Sequence, residues 1–268
     1  MTILVTGATG NIGRMVVERL LAAGATDVRA LTVDPGRAAL PAGVQVVQGH
    51  QGRPDAVAAA LDGVDRMYLA PDPATASAVT AAAARAGVGR IVDLSGEHES
   101  WWGAVTRAVE DSGVAWTHLW PGDFMENTRV WAPRIRADST VTEPWPDAAS
   151  APVAMADVAA VAAAALLDDR HTGAALALTG PATLTRRDLC RLLGDALGRE
   201  VRFVVGSRDE TIEALAPAMG GDAAWYVDTV LAGAAAHPAP PTTTVADVTG
   251  RPATTFAQWA TAHTDLFS

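Results

Sequence analysis

The chain has 268 residues, of which 49% are hydrophobic and 19% charged, with 24 Gly, 16 Pro and a single Cys. That composition excludes disordered and collagen-like classes, and the length suffices for one large α/β domain or a core domain with a smaller lobe. A formal net charge of −10, from 30 acidic and 20 basic residues, repels nucleic acid and anionic lipid, so neither is expected as a partner.

All 20 basic residues are Arg. The absence of Lys removes Schiff-base chemistry, the phosphate-loop Lys and any Tyr/Lys catalytic pair at once. The lone Cys190 can form neither an internal disulfide nor a thiolate metal cluster, which fits a reducing, cytoplasmic setting. Its place in Leu189-Cys190-Arg191-Leu192-Leu193 reads as a helix. Residues 1–5 run into Gly7 without a basic leader and read as a buried strand, not a signal peptide. The longest apolar run, 158–167, is too short to span a bilayer, so no membrane association is expected.

Short β-branched runs at 3–5, 28–33, 44–47, 66–69, 91–94 and 116–119 predict six strands. Between them, helices are predicted at 12–23, 54–61, 74–86 and 102–112, with Gly24, Gly63, Gly87 and Gly113 just past the last turns. Nearly continuous apolar strands alternating with helices imply a parallel sheet covered on both faces, a doubly wound α/β core. Past residue 136, Pro144, Pro146, Pro152, Pro181, Pro217 and the Pro238-Ala239-Pro240-Pro241 segment break the rhythm. Helices are predicted at 157–167, 186–197, 209–219, 223–235 and 255–263. Residues 1–136 are therefore expected to form the core, with 152–170 packing back on it. Residues 137–151 and 171–268 are expected to form a smaller lobe and a tail.

Directly after the first strand, Gly7-Ala8-Thr9-Gly10-Asn11-Ile12-Gly13 opens into a helix. Glycines at this spacing permit a sharp turn, close approach of a pyrophosphate and tight helix packing, while the amides at the helix start hold negative charge. A dinucleotide is therefore expected on Gly7, Thr9, Gly10, Asn11, Ile12 and Gly13. Thr32 ends the second strand where an acid would bind a ribose 2′-hydroxyl. With Arg37 close behind, NADP(H) is favoured over NAD(H), although Asp34 argues the other way.

The glycine turn, the strand Arg90-Ile91-Val92-Asp93-Leu94-Ser95, the stretch Ser112-Gly113-Val114-Ala115-Trp116-Thr117 and the segment Pro121-Gly122-Asp123-Phe124-Met125-Glu126-Asn127 resemble the NmrA-like, atypical short-chain dehydrogenase/reductase family. Leu178-Thr179-Gly180-Pro181 and the stretch from Thr249 to Phe256 continue the resemblance over essentially the whole chain. It implies a Rossmann-like core, a small C-terminal substrate lobe with a cleft between them, and NAD(P)H-dependent reduction of quinones and similar acceptors. Carried over by position, it puts the adenine end near Arg37 and His50 and the ribose beside Ala70 and Pro71. The nicotinamide falls near Ser95, Gly96, Pro121, Gly122 and Phe124. His50, Val33 and Trp120 depart from the family's usual Asp, Arg and Arg. The Tyr-x-x-x-Lys pair of ordinary short-chain dehydrogenases is missing, the only tyrosines being Tyr68 and Tyr226.

Without that acid, a quinone or polycyclic aromatic enone suits the chain better than a simple ketone, because the reduced acceptor is a delocalised anion that solvent can protonate. His98, between Glu97 and Glu99, is the candidate proton donor, with an idle loop histidine as the alternative. Trp101, Trp102 and Phe124 are expected to line a flat aromatic substrate, with Trp120, Trp131 and Trp145 nearby. Asp157 is read as a helix N-cap. No metal site and no Ser/His/Asp triad is expected. A dinucleotide-sensing regulator that binds a protein partner, or a non-redox isomerase or cyclase, remains the competing reading.

Overall fold

In a computed structural model, which describes residues 1–236 and 240–268, the predicted strands become β1 (Ile3–Val5), β2 (Val28–Thr32), β3 (Gln45–Gln48), β4 (Arg66–Leu69), β5 (Arg90–Leu94) and β6 (Ala115–Pro121). A seventh strand, Ala174–Leu178, pairs in parallel with β6. The sheet order is β3-β2-β1-β4-β5-β6 followed by that strand, and every pairing is parallel. This is a doubly wound, Rossmann-like α/β fold. β1 and β5 are buried along their whole length, as parallel strands must be when helices cover both faces.

The connecting helices are α1 (Asn11–Ala22), α2 (Pro54–Ala60), α3 (Ala76–Arg85) and α4 (Gly103–Asp111). Leu4, Leu31, Met67, Leu69 and Ile91 from the strands pack with Val57 of α2 and Leu61 just past its end, Val79 and Ala83 of α3, and Val105 and Val109 of α4. The helix Met155–Leu167, eight of whose residues are buried, packs on α1 and on β4, β5 and β6. Its uniformly apolar surface needs that double cover. It starts at Met155, so Asp157 is not the N-cap expected of it. The residue lies in the first turn, where its charge complements the positive end of the helix dipole.

Two compact units result. The first comprises Met1–Pro121, Met155–Leu178 and Thr244–Arg251, and the second Gly122–Ala154, Thr179–Thr243 and Pro252–Ser268. The division differs from a boundary at residue 136. Met125, Trp131 and Ile135 belong to the core that Leu189, Leu193, Leu215, Val227, Phe256 and Trp259 complete, so the chain changes unit at the end of β6. Residues 174–178, expected in the lobe, are a strand of the main sheet, because β6 would otherwise be an open edge. In the second unit Thr140–Glu143 pairs with Arg202–Val205 in parallel, and Ala149–Ser150 with Leu184–Thr185 antiparallel. Helices Arg186–Leu197, Arg208–Met219 and Phe256–Ala262 each start at a capping box. Pro217 lies inside Arg208–Met219 rather than ending it. The predicted 223–235 helix contains a π-helical stretch, Tyr226–Leu231. Pro238 and Ala239, part of the expected proline break, lie outside the described residues. Among the described residues no helix is long and apolar enough to cross a membrane.

Candidate active site

Parallel strands place all their carboxyl ends on one edge of the sheet, and that edge of the first unit gathers most of the expected residues. The Gly7 to Gly13 turn follows β1, Thr32 ends β2, Ala70 and Pro71 follow β4, Ser95 and Gly96 follow β5, and Pro121 ends β6. Gly122 and Phe124 fall in the second unit, where Phe124 bridges to Val153.

The turn is built as its glycines require. Gly7 has φ +59°, and Gly10 N–H donates to Gly7 O at 2.9 Å. A Cβ on Gly13 would stand 2.2 Å from Gly7 O, and one on Gly7 would stand 2.8 Å from Ala70 Cβ. Only bare backbone allows α1 to start this close to the end of β1. Gly10 is the N-cap of α1 and no side chain caps the helix; the first turn carries no acid. Amides at its start are thus free of a side-chain acceptor, and the positive end of the helix dipole meets no carboxylate of its own. These features fit the pyrophosphate of a dinucleotide.

Beside the turn, Thr9 Oγ1 lies 3.2 Å from Thr32 Oγ1. Thr32 is buried, whereas Arg37 and His50 are exposed. Asp34, the residue that weighed against a 2′-phosphate, caps the Pro35–Arg37 turn, its side chain accepting from Arg37 N–H at 3.3 Å. His50 Nδ1 accepts from Gly52 N–H at 3.0 Å. Gln51, which pattern reading passed over, is buried and donates from Nε2 to Ala70 O at 2.8 Å, tying the segment after β3 to the one after β4.

After β5, the segment 96–102 is pinned onto α4. Thr106 Oγ1 donates to Gly96 O at 2.6 Å, and Arg107 Nη1 donates to His98 O at 2.5 Å. A Cβ on Gly103 would stand 2.3 Å from His98 O, so glycine is needed where the helix meets the loop. His98 Nε2 lies 3.0 Å from Glu110 Oε2. Trp102 and Trp101, 42% and 78% exposed, stand at the start of α4 as flat apolar surface. His98 and Trp120 meet edge to face at 6.2 Å.

Behind this loop lies a polar array that pattern reading missed. Asp93 and His118 are direct cross-strand partners on β5 and β6. His118 Nδ1 lies 2.6 Å from Asp93 Oδ2, with both side chains buried. His118 Nε2 stands 3.6 Å from Glu110 Oε1 and makes no hydrogen bond. Burial pushes the Asp93 carboxyl above its ordinary range, against the opposing pull of the His118 hydrogen bond and charge. Trp116 stacks on His118 with ring centroids 3.9 Å apart. The signal was available: an Asp and a His inside otherwise apolar buried strands are costly unless paired.

Tyr68 is 1% exposed, and burial, then the nearby Asp93 carboxyl, raises its phenol above the ordinary value. In the second unit, Trp131, expected near the substrate, is a core residue. Its Nε1–H donates to Glu143 Oε1 at 2.8 Å, and the Arg186 guanidinium lies 4.6 Å over its ring. Arg186 and Glu143 form a buried bidentate pair at 2.6 and 2.7 Å. Among the described residues no group of three or more His, Cys, Asp or Glu could hold a metal ion.

Comparison with known proteins brings four likenesses. The model of the NmrA-like family matches residues 1–224. The chain is 40% identical, over 99% of both chains, to a (4-alkanoyl-5-oxo-2,5-dihydrofuran-3-yl)methyl phosphate reductase of Streptomyces griseus. It is 34% identical, again over 99% of both, to an NAD(P)H azoreductase of Xenophilus azovorans. Among solved structures, an NADPH-dependent quinone oxidoreductase of Escherichia coli complexed with NADPH has a TM-score of 0.87 at 26% identity, covering 97% of this chain and 99% of that one.

Proposed function

Because the chain belongs to the NmrA-like family and is an NAD(P)H-dependent oxidoreductase, we propose that it uses NADP(H) to reduce a flat, electron-poor acceptor, a quinone or a polycyclic aromatic enone. The observation that carries the dinucleotide in this reading is the bare-backbone turn at Gly7, Gly10 and Gly13, against an uncapped and acid-free start of α1. The acceptors for which the relatives are named support it: a carbonyl-bearing dihydrofuran, an azo compound and a quinone share conjugated multiple bonds.

When bound, the nicotinamide supplies hydride to the acceptor. The chain's own residues do the rest. Amides from Gly7 to Gly13 hold the pyrophosphate, Thr32 and the exposed Arg37 guanidinium accept a 2′-phosphate, and His50, Ala70 and Pro71 border the adenosine. Ser95, Gly96 and Pro121 border the nicotinamide at the strand ends. Trp101 and Trp102 offer indole faces to the acceptor. His98 returns a proton to the reduced acceptor. Tyr68, buried and raised, takes no part, so orientation and exclusion of water supply most of the rate.

The test is NADPH absorbance against a panel of small quinones, repeated with C4-deuterated NADPH. Consumption of NADPH with deuterium leaving the nicotinamide is expected. No consumption of either dinucleotide, or deuterium retained, overturns the reading and favours a sensor or an isomerase. Cofactor choice is read by titrating tryptophan fluorescence. Tenfold tighter binding of NADH, about 1.4 kcal/mol, overturns the roles given to Thr32 and Arg37.

A further inference from the structure

The carboxylate of Glu110 is where simple helix electrostatics would not put it. α4 ends at Asp111, has no basic residue in its last turn, and carries both Glu110 and Asp111 there, so negative side chains meet the negative end of the helix dipole. Two imidazoles stand beside it: His98 Nε2, hydrogen-bonded to one oxygen at 3.0 Å, and His118 Nε2, 3.6 Å from the other. Hydrogen bonds join His98, 45% exposed, to Glu110 and His118 to Asp93, which is fully buried, and the 3.6 Å approach of His118 Nε2 to Glu110 Oε1 lies between the two pairs. The loop carrying His98 is held by three further devices, the Thr106 and Arg107 hydrogen bonds and the Gly103 approach. These devices fix the backbone from which the His98 ring projects.

We propose that Glu110 is a positioning residue for proton transfer: through Nε2 it fixes the His98 ring, backed by the His118–Asp93 pair, and so presents Nδ1 as the atom that carries the proton. This rests on the reading of His98 as the donor. In the step, the acceptor, having taken hydride from NADPH, which leaves as NADP+, bears a negative charge. The Nδ1–H bond of the His98 imidazolium breaks, and an O–H, N–H or C–H bond forms on the acceptor. The neutral ring keeps its Nε2–H on Glu110 and regains the second proton from water at its exposed side.

Four variants test it: Glu110→Ala, Glu110→Gln, His98→Gln and the double variant Glu110→Ala/His98→Gln. Glu110→Ala is expected to lower kcat about tenfold while moving KM for NADPH and acceptor by less than about twofold, the signature of an interaction used in the chemical step. The Gln variant keeps an acceptor oxygen and is expected to recover most of that loss. The double variant should be no slower than His98→Gln alone, since two residues acting as one unit are not additive. Independently of activity and of any cofactor, 13C relaxation of the His98 ring is expected to fall from the rigid range to an order parameter below about 0.6 in Glu110→Ala. A ring that stays rigid in that variant, or losses that multiply in the double variant, overturns the proposal. If His98→Gln keeps full activity, the donor reading fails and the proposal with it; if His98→Gln is impaired and Glu110→Ala is not, only the positioning role fails.

Discussion

Replacing Gly13 by alanine would place a methyl group 2.2 Å from Gly7 O, 2.7 Å from Gly7 C and 3.2 Å from Ala8 Cα. Every one of those atoms is backbone, so no side chain can swing aside. Restoring ordinary contact requires α1 to retreat from the end of β1 by about 1 Å in an interior packed to crystal density. Overpacking of this kind costs about 1–3 kcal/mol, and the better helix propensity of alanine returns about 1 kcal/mol, leaving a net loss of about 0–2 kcal/mol in stability. The effect on ligand affinity is larger, because the same retreat carries the amides at the start of α1 out of line. Losing one charge-assisted hydrogen bond, about 1.5–3 kcal/mol, weakens dinucleotide binding about ten- to hundredfold. Gly24→Ala is the control. Gly24 has φ +88°, and among the described residues no neighbour lies within 4 Å of where a Cβ would stand, so alanine there costs about 1–2 kcal/mol of backbone strain and leaves the turn untouched. Urea unfolding and fluorescence titration with NADPH, run on both variants, should separate the two effects. Gly13→Ala binding NADPH within twofold of the native chain, or Gly24→Ala losing affinity in proportion to its stability, would refute the assignment of the turn to the pyrophosphate.

Tyr68→Phe is expected to keep at least half of kcat, since the phenol is buried and raised above its ordinary value; an inactive but folded variant would show that the hydroxyl takes part. Trp102→Ala should raise KM for a flat acceptor and leave the Kd for NADPH within twofold, and a loss of dinucleotide affinity instead would return the indole to a packing role. Arg186→Leu strands the Glu143 carboxylate in the second unit's core and should cost about 3–5 kcal/mol in urea unfolding, with a loss below about 1 kcal/mol contradicting the buried-pair account. Burial pushes the Cys190 thiol up to about 12, so the reactive thiolate is scarce at neutral pH and grows tenfold per pH unit only towards that value. Labelling by a disulfide reagent at pH 8 should therefore be negligible in the native protein and complete in denaturant; rapid native labelling would contradict that burial.

The doubly wound sheet and the glycine turn were legible in the sequence because both are local. Apolar β-branched runs of strand length, alternating with helices closed by glycine, leave a parallel sheet as the way to bury every strand on both faces. The spacing of Gly7, Gly10 and Gly13 states a backbone requirement that side chains elsewhere cannot change, and the 2.2 Å approach of Gly13 to Gly7 O is its physical form. What tertiary structure alone decided are pairings between residues far apart in the chain. Residues 174–178 look no more strand-like than many alanine-rich stretches, and become a strand because β6 offers an edge. Trp131 and Trp102 are equally aromatic on paper; one is sealed under Arg186 and the other stands 42% exposed. Asp93 and His118 are 25 residues apart and meet only through the β5–β6 register, while Glu110 reaches His118 and His98 because α4 lies against both strands. Periodicity records which face a residue occupies, and register and packing determine which polar groups on those faces come within hydrogen-bonding distance.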